Sequence, residues 1–178
     1  LAVEGKRVEG VVLGDGEVVK GGEVVLCAGA FDSPRILMSS GIGPAAHLST
    51  LGIRPQADLP VGENLTDHLL IGIVYSSKRE ISELNALCTE ACAFARSTPD
   101  RPGCDIEISF ATKPHFAPEA SDHVPRFTII PGITKPKSRG TLRLTSSQPG
   151  APLAIDPNYF DHPDDMRTMI HAVRLSRE

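Results

Sequence analysis

Small and polar residues that could border a bound nucleotide or phosphate follow an apolar run near the start of the chain. Ala28, Gly29 and Ala30 carry almost no side chain, so another molecule can approach the backbone closely there. Ser33 and Pro34 follow after two further residues and suit the beginning of a helix, because serine caps helices and proline needs no N–H in the first turn. A strand, a tight turn and a helix N-terminus in this order commonly bind a nucleotide or phosphate.

A second group of polar residues occupies a loop further along the chain. Asn64, Asp67 and His68 supply hydrogen-bond donors and acceptors, and Pro60 and Gly62 give this loop an irregular path. His68 has a side chain that could take part in proton transfer, although a single histidine is more often a hydrogen-bonded structural residue. Asp67 could stabilise charge, although an aspartate in a turn more often caps its own backbone. We therefore predict binding residues here and no catalytic residue.

The four cysteines give no metal site. Cys27 lies in a predicted buried strand, where it is expected to be a small core residue. Cys88 and Cys92 stand four apart on a predicted helix and could face one metal ion, but no cysteine or histidine pair at zinc-finger spacing accompanies them. We predict reduced cysteines in a cytoplasmic protein.

Length and charge exclude two function classes. The 178 residues carry a formal charge of −4, and no more than two Lys or Arg residues are adjacent, which argues against nucleic-acid binding. No apolar run approaches the roughly 20 residues needed to cross a bilayer. The chain starts at Leu1 rather than Met and stops within a predicted helix, so we expect it to be a segment of a longer polypeptide.

The first part of the chain must position the small residues. Val24 to Cys27 is short, apolar and β-branched, which predicts a strand buried on both faces. Asp32 or Ser33 is predicted to cap the next helix, and Gly41 to leave it with positive φ. Earlier, residues 3–12 predict one strand that turns back through a glycine-rich turn at 14–16.

The remainder alternates helical and strand patterns. Apolar residues at helical spacing predict helices over 44–51 and 81–95, and a last helix from Pro163 with Met166, Met169, Ile170 and Val173 on its apolar face. Alternating or apolar runs predict strands over 69–76, 105–111, 126–134 and 140–146. The basic stretch 135–139 is expected to form a solvated hairpin turn between the last two strands.

Three stretches resemble the glucose-methanol-choline (GMC) family of flavin oxidoreductases. Ser33-Pro34, Ile36-Leu37 and Ser40-Gly41-Ile42-Gly43 fit the second signature of that family, with the small residues before them. Val61-Gly62 and Asn64-Leu65 followed by Asp67-His68 are similar to a loop that passes close to the flavin in the family. Ser138-Arg139-Gly140 and Asp156-Pro157-Asn158-Tyr159 are similar to turns of the substrate domain. Tyr159 and Phe160 are expected to pack in a core rather than to line a pocket.

The resemblance implies the fold and the cofactor. It implies an α+β protein in which a partial α/β FAD-binding domain over 1–75 joins an antiparallel-sheet substrate domain over 76–178 with helices on one face. It implies FAD as the hydride acceptor and a small-molecule alcohol as the donor. The residues that it implies for cofactor binding are Ala28, Gly29, Ala30, Ser33, Pro34, Asn64, Asp67 and His68.

Two parts of the family pattern are absent from these 178 residues. No Gly-x-Gly-x-x-Gly phosphate loop occurs, and His171 does not align with the catalytic histidine of the family. We therefore expect the segment alone to be inactive and to bind FAD weakly, with the remainder of the polypeptide as its partner. The alternative is a naturally truncated module that keeps the scaffold for binding or assembly. Oxidase and dehydrogenase, and several alcohol classes, fit the sequence equally.

Overall fold

The structure is a computed structural model that describes residues 1–79, 81, 89–114 and 124–178. In chain order the helices and strands of these residues are β1 (Ala2–Glu4), β2 (Arg7–Val12), β3 (Val18–Lys20), α1 (Gly29–Ser39), β4 (Ile42–Gly43), α2 (Ala45–Thr50), β5 (Ala57–Asp58), β6 (Leu69–Leu70), β7 (Ile73–Ser76), β8 (Thr89–Ala95), β9 (Ile106–Ala111), β10 (Arg126–Ile133), β11 (Thr141–Leu144), β12 (Leu153–Asp156) and α3 (Pro163–Leu175). They mix helices with largely antiparallel sheets, and the predicted α+β class is confirmed.

The chain forms two compact units, each built from two separate stretches. The first unit contains residues 1–65 and 140–157, and the second contains residues 66–139 and 158–178. These units group the chain differently from the predicted domains, and the assignment of 1–75 to a flavin domain and 76–178 to a substrate domain stays a prediction.

The first unit has a small core beneath two short helices. Strands β1, β2 and β3 form an antiparallel sheet, β4 pairs with β5 in parallel, and β11 pairs with β12 as a hairpin. Met38 of α1, Leu48 of α2, and Leu142 and Leu144 of β11 are buried together. Their side chains hold both helices against the hairpin, since burial of apolar surface is the main stabilising contribution.

Two glycines permit close approach in this unit. Gly41 leaves α1 with φ 82°, as predicted, and a Cβ there would lie 2.5 Å from the backbone oxygen of Arg54. Gly62 has φ 81°, and a Cβ there would lie 2.1 Å from the backbone oxygen of Leu142. Only glycine combines positive φ with the absence of these contacts.

Two strand predictions in the first unit are wrong. Residues 24–27 belong to no strand; Val25 is 74% exposed and Cys27 is exposed as well. A strand buried on both faces needs neighbours on both sides, and none of the described strands pairs with this run. The stretch predicted as one strand over 3–12 is the β1–β2 hairpin, which turns at Gly5 with φ 59°. The predicted turn between β2 and β3 is confirmed.

The second unit is an antiparallel sheet covered by a helix. Strand β10 is central, with β9 on one side and β6 and β7 on the other, and β8 extends the sheet beyond β9. Helix α3 packs against β9 and β10. Ile106, Ile133 and Met169 are buried there, and Tyr75 stacks on Phe127 with ring centroids 5.3 Å apart.

Three predictions for this unit need correction. Thr89–Ala95 form strand β8, so the helix predicted over 81–95 is wrong for these residues, and Leu84 and Cys88 lie outside the described residues. The stretch 135–139 joins two different sheets rather than closing a hairpin, because β10 pairs with β9 whereas β11 pairs with β12. On α3, Met169 is buried as predicted, but Met166 and Ile170 are exposed.

Candidate functional site

The N-terminus of α1 presents backbone N–H groups at the small residues that the sequence singles out. Ala28 precedes the helix and no side chain caps it, and Ala28, Gly29 and Ala30 are all exposed. The first N–H groups of an α-helix have no partner within the helix, and the helix dipole places partial positive charge there. This end of α1 can therefore receive an anionic or polar group at close range.

Helix α1 begins earlier than the sequence predicts. It starts at Gly29 rather than after Asp32 or Ser33, because φ 80° at Gly29 turns the chain directly into the helix. The Ser33 hydroxyl oxygen accepts a hydrogen bond from the Ala28 N–H at 3.0 Å, which tightens this turn. Pro34 lies inside the helix and has no N–H to donate to the carbonyl of Ala30.

The second group of predicted binding residues is divided between the units. Asn64 lies in the first unit, with φ 58° on an exposed turn. Asp67 and His68 lie in the second unit and are exposed. The structure thus places six of the eight predicted residues, Ala28 to Pro34 and Asn64, in one compact unit and two in the other.

Asp67 accepts a hydrogen bond from Tyr159, a residue that the sequence predicts to pack in a core. Tyr159 is 42% exposed, so the prediction of core packing is wrong for it. Its hydroxyl donates to Asp67 Oδ2 at 2.6 Å, and Asp67 Oδ1 accepts from the His68 N–H at 2.9 Å. The hydrogen bond to Asp67, followed by partial burial and the carboxylate charge, raises the pKa of Tyr159 above its ordinary value.

A buried carboxylate joins the 135–139 stretch to α3. Asp165 is 4% exposed and accepts hydrogen bonds from the N–H of Lys137 at 2.9 Å, the N–H of Ser138 at 2.8 Å and the hydroxyl of Ser138 at 2.6 Å. Burial acts to raise the pKa of Asp165, but these hydrogen bonds outweigh it and the pKa is lowered. This link is not among the contacts predicted from the sequence. Its signal was the spacing of Asp165, Met169 and Ala172, which puts all three on the inward face of the helix.

An open cleft of about 310 Å³ lies beside this link. Its lining contains three cationic side chains, three hydroxyl side chains and one carboxylate, namely Arg101, Lys137, Arg167, Ser97, Thr98, Thr168 and Asp164. The hydrogen bond from Lys137 and then that from Arg167 lower the pKa of Asp164 to about 2, and Arg101 pairs with buried Asp105 at 3.1 Å. Each of the three cations of the cleft therefore has a carboxylate partner, and Lys137 and Arg167 share Asp164.

Metal ligation and membrane insertion find no support in the part of the chain that the structure describes. Among residues 1–79, 81, 89–114 and 124–178, no three His, Cys, Asp or Glu residues cluster as metal ligands would. No helix of these same residues combines the length and the apolar character that a bilayer span requires. Cys92 is exposed and Cys88, its predicted companion, lies outside the described residues.

Sequence comparison decides the family. Models of the two halves of the GMC oxidoreductases match residues 1–70 and residues 136–178, in the order in which the family carries them. The chain belongs to the GMC oxidoreductase family. The resemblance seen in the three motifs is thereby confirmed.

GMC relatives align with most or all of the chain. The oxygen-dependent choline dehydrogenase of Sinorhizobium fredii is 36% identical over 207 aligned positions, which cover 100% of this chain and 38% of that protein. The choline oxidase of Arthrobacter globiformis is 36% identical and covers 88% of this chain and 30% of its own length. Pyridoxine 4-oxidase from Mesorbium loti is similar in structure, with a TM-score of 0.86 and 33% identity over 99% of this chain and 36% of its own. The chain thus spans under two fifths of these GMC proteins.

Proposed function

We propose that this chain is part of an FAD-dependent oxidoreductase that oxidises the CH–OH group of a small alcohol. The observation that carries the proposal is the match to both family halves on one chain, together with relatives whose names describe alcohol oxidation. When bound, FAD would supply the hydride acceptor for the alcohol carbon. The remainder of a longer polypeptide would be the partner of this chain.

The N-terminus of α1 fits one part of such a cofactor. Ala28, Gly29 and Ala30 are exposed, and a Cβ built on Gly29 would meet no atom within 4 Å, so space is open next to the backbone. The partial positive charge of the helix end favours the negatively charged or polar parts of a dinucleotide. Ser33 is already bonded to the Ala28 N–H, so its role would be to hold the turn.

The loop at residues 64–68 carries the other residues that we propose for cofactor binding. Asn64 and His68 are exposed and can donate or accept hydrogen bonds, whereas Asp67 is engaged by Tyr159. We infer that Asn64 and His68 would contact the cofactor and that Asp67 would orient their loop. This chain carries no Gly-x-Gly-x-x-Gly string, so a phosphate loop and the proton-accepting base would come from residues outside it.

The test begins with a visible absorption spectrum and an intact mass of the purified protein. We expect the 178-residue chain alone to retain no stoichiometric flavin, and a longer polypeptide that contains it to retain FAD. The longer polypeptide should reduce its flavin when given choline, pyridoxine or benzyl alcohol. A longer polypeptide that takes up no FAD and oxidises none of these alcohols would contradict the proposal and favour a non-catalytic scaffold.

A matched pair of glycine variants tests the place of binding. Gly29 and Gly52 have φ 80° and 73°, and a Cβ on either would meet no atom within 4 Å. Both Gly29→Ala and Gly52→Ala impose left-handed backbone on alanine, which costs about 1–2 kcal/mol. We expect only Gly29→Ala to weaken FAD binding in the longer polypeptide, because only that methyl group stands at the N-terminus of α1, whereas Gly52 follows the C-terminal end of α2. Equal FAD affinity in the two variants would refute this placement.

A further inference from the structure

Two of the three sequence motifs meet at one hydrogen bond in the second unit. The Tyr159 hydroxyl donates to Asp67 Oδ2 at 2.6 Å, a distance typical of a strong bond to a carboxylate. The other oxygen, Asp67 Oδ1, accepts from the backbone N–H of His68 at 2.9 Å. Asp67 therefore has one oxygen directed to Tyr159 and the other to its own loop.

The turn that carries Tyr159 is anchored firmly. Asn158 and Phe160 have φ 52° and 63°, so residues on both sides of Tyr159 adopt left-handed backbone. Non-glycine residues rarely adopt this conformation, and it persists only where the surroundings impose it. Here the N–H of His162 donates to the hydroxyl oxygen of buried Ser138 at 3.0 Å, and His162 caps α3. The turn is thus fixed to the helix and to the buried carboxylate of the unit.

Packing alone does not account for a tyrosine at this position. Tyr159 is 42% exposed, and its hydroxyl donates a hydrogen bond to Asp67. A phenylalanine would cover the same apolar surface and would lack the bond to Asp67. The hydroxyl group is therefore the part of the residue that needs an explanation.

We propose that Tyr159 is a positioning residue that acts through Asp67 to fix the backbone of the loop at His68. The inference rests on the proposed function, in which that loop borders the cofactor. Nothing in it requires Tyr159 to touch cofactor or substrate. In this role the turn that carries Tyr159 stabilises the position of Asp67 and His68.

Hydrogen exchange at the His68 amide tests the positioning directly. In Tyr159→Phe we expect this amide to exchange about tenfold faster, because the Asp67 carboxylate loses its strongest donor and the loop loses its tie to the turn. Tyr75→Phe is the matched control, since it removes a hydroxyl from a tyrosine that stacks within the sheet of the same unit. Exchange at His68 in Tyr159→Phe within twofold of the parent chain would overturn the proposal.

A spectroscopic measurement separates the hydroxyl contact from a general loss of structure. The chain has two tyrosines and no tryptophan, so in a Tyr75→Phe background the near-ultraviolet phenolate band reports Tyr159 alone. We expect Asp67→Asn to bring the midpoint of this titration down toward the ordinary tyrosine value near 10. An identical midpoint in the two proteins would show that the contact is absent and would also overturn the proposal.

The flavin arm distinguishes this inference from the proposed function. In the longer polypeptide loaded with FAD, Tyr159→Phe should release flavin about tenfold faster than Tyr75→Phe. Unchanged flavin release together with faster exchange at His68 would support the positioning role and contradict the place of the loop in the proposed function. If the unmutated longer polypeptide binds no FAD, that result contradicts only the proposed function. The hydrogen-exchange and titration results then still decide the inference about Tyr159.

Discussion

The substitution Ser138→Ala should destabilise the second unit more than alanine at any other serine whose hydrogen bonds are described above. In Ser138→Ala, buried Asp165 loses a donor at 2.6 Å, and the His162 N–H loses its acceptor at 3.0 Å. A hydrogen bond to a charged group contributes about 1.5–3 kcal/mol, and a partly buried N–H left unpaired costs about 1 kcal/mol. We expect the free energy of unfolding to fall by about 3 kcal/mol.

Urea and thermal unfolding followed by circular dichroism give this quantity. For a chain of this length about 3 kcal/mol corresponds to a decrease of about 10 °C in Tm. Ser176→Ala is the matched control, since the hydroxyl of this residue, the C-cap of α3, donates to the Ala172 carbonyl at 2.8 Å and serves no buried charge. A loss below about 1 kcal/mol in Ser138→Ala, or one equal to that of the control, would refute the reasoning.

The coupling between the two side chains is measured by a double-mutant cycle. If the Ser138 hydroxyl acts through the Asp165 carboxylate, Ser138→Ala should cost less in an Asp165→Asn background than in the parent chain. Additive losses would show that the two side chains stabilise the unit independently. The cycle thus tests the assigned contact rather than the mere sensitivity of the position.

Three further predictions concern acid stability, backbone conformation and packing. Because the pKa of Asp165 is lowered on folding, the stabilisation by its carboxylate is present above the unfolded value of 3.8 and is lost as pH falls through the lowered folded value. In Asp165→Asn the urea midpoint should therefore decline less steeply below about pH 4 than in the parent chain. An unchanged decline would contradict this prediction. Gly62→Ala should lower the free energy of unfolding in urea by more than about 3 kcal/mol, since its Cβ would lie 2.1 Å from a backbone oxygen of β11. The control Gly52→Ala should cost only the backbone strain of about 1–2 kcal/mol. Similar losses in the two variants would refute the close approach at Gly62. Met38→Ala should cost about 2–5 kcal/mol of stability because that side chain is fully buried. The control Met166→Ala should cost under about 1 kcal/mol because Met166 is exposed. A larger decrease of Tm in Met166→Ala than in Met38→Ala would contradict the assigned core.

Local signals predicted the elements that depend on few neighbours. Strands form at 106–111 and 126–133, within the predicted ranges 105–111 and 126–134, Gly41 leaves α1 with positive φ, and α2 forms within the predicted range 44–51. Each of these follows from a periodicity or a backbone requirement that a short window contains. The three motif stretches likewise predicted the family, because their spacing is rigid.

Predictions failed where distant residues decide the structure. Ala, Cys and Phe at 91–95 fit helical and strand spacing alike, and pairing with β9 selects the strand. Val24 to Cys27 has the composition of a buried strand, but the sequence of this segment does not indicate whether other strands pair with it. The contacts of Tyr159 with Asp67 and of Ser138 with Asp165 join residues 92 and 27 positions apart, which no local pattern encodes.

The interleaving of the two units has a consequence for synthesis on the ribosome. The chain passes from one unit to the other after residues 65, 139 and 157, so neither unit is a contiguous stretch. The first unit obtains Leu142 and Leu144 of its core only after the strands of the second have been made. Its N-terminal stretch must therefore wait, with apolar surface exposed, until some 75 further residues have emerged, and nascent chains arrested before residue 140 should bind chaperones more than those arrested after 157.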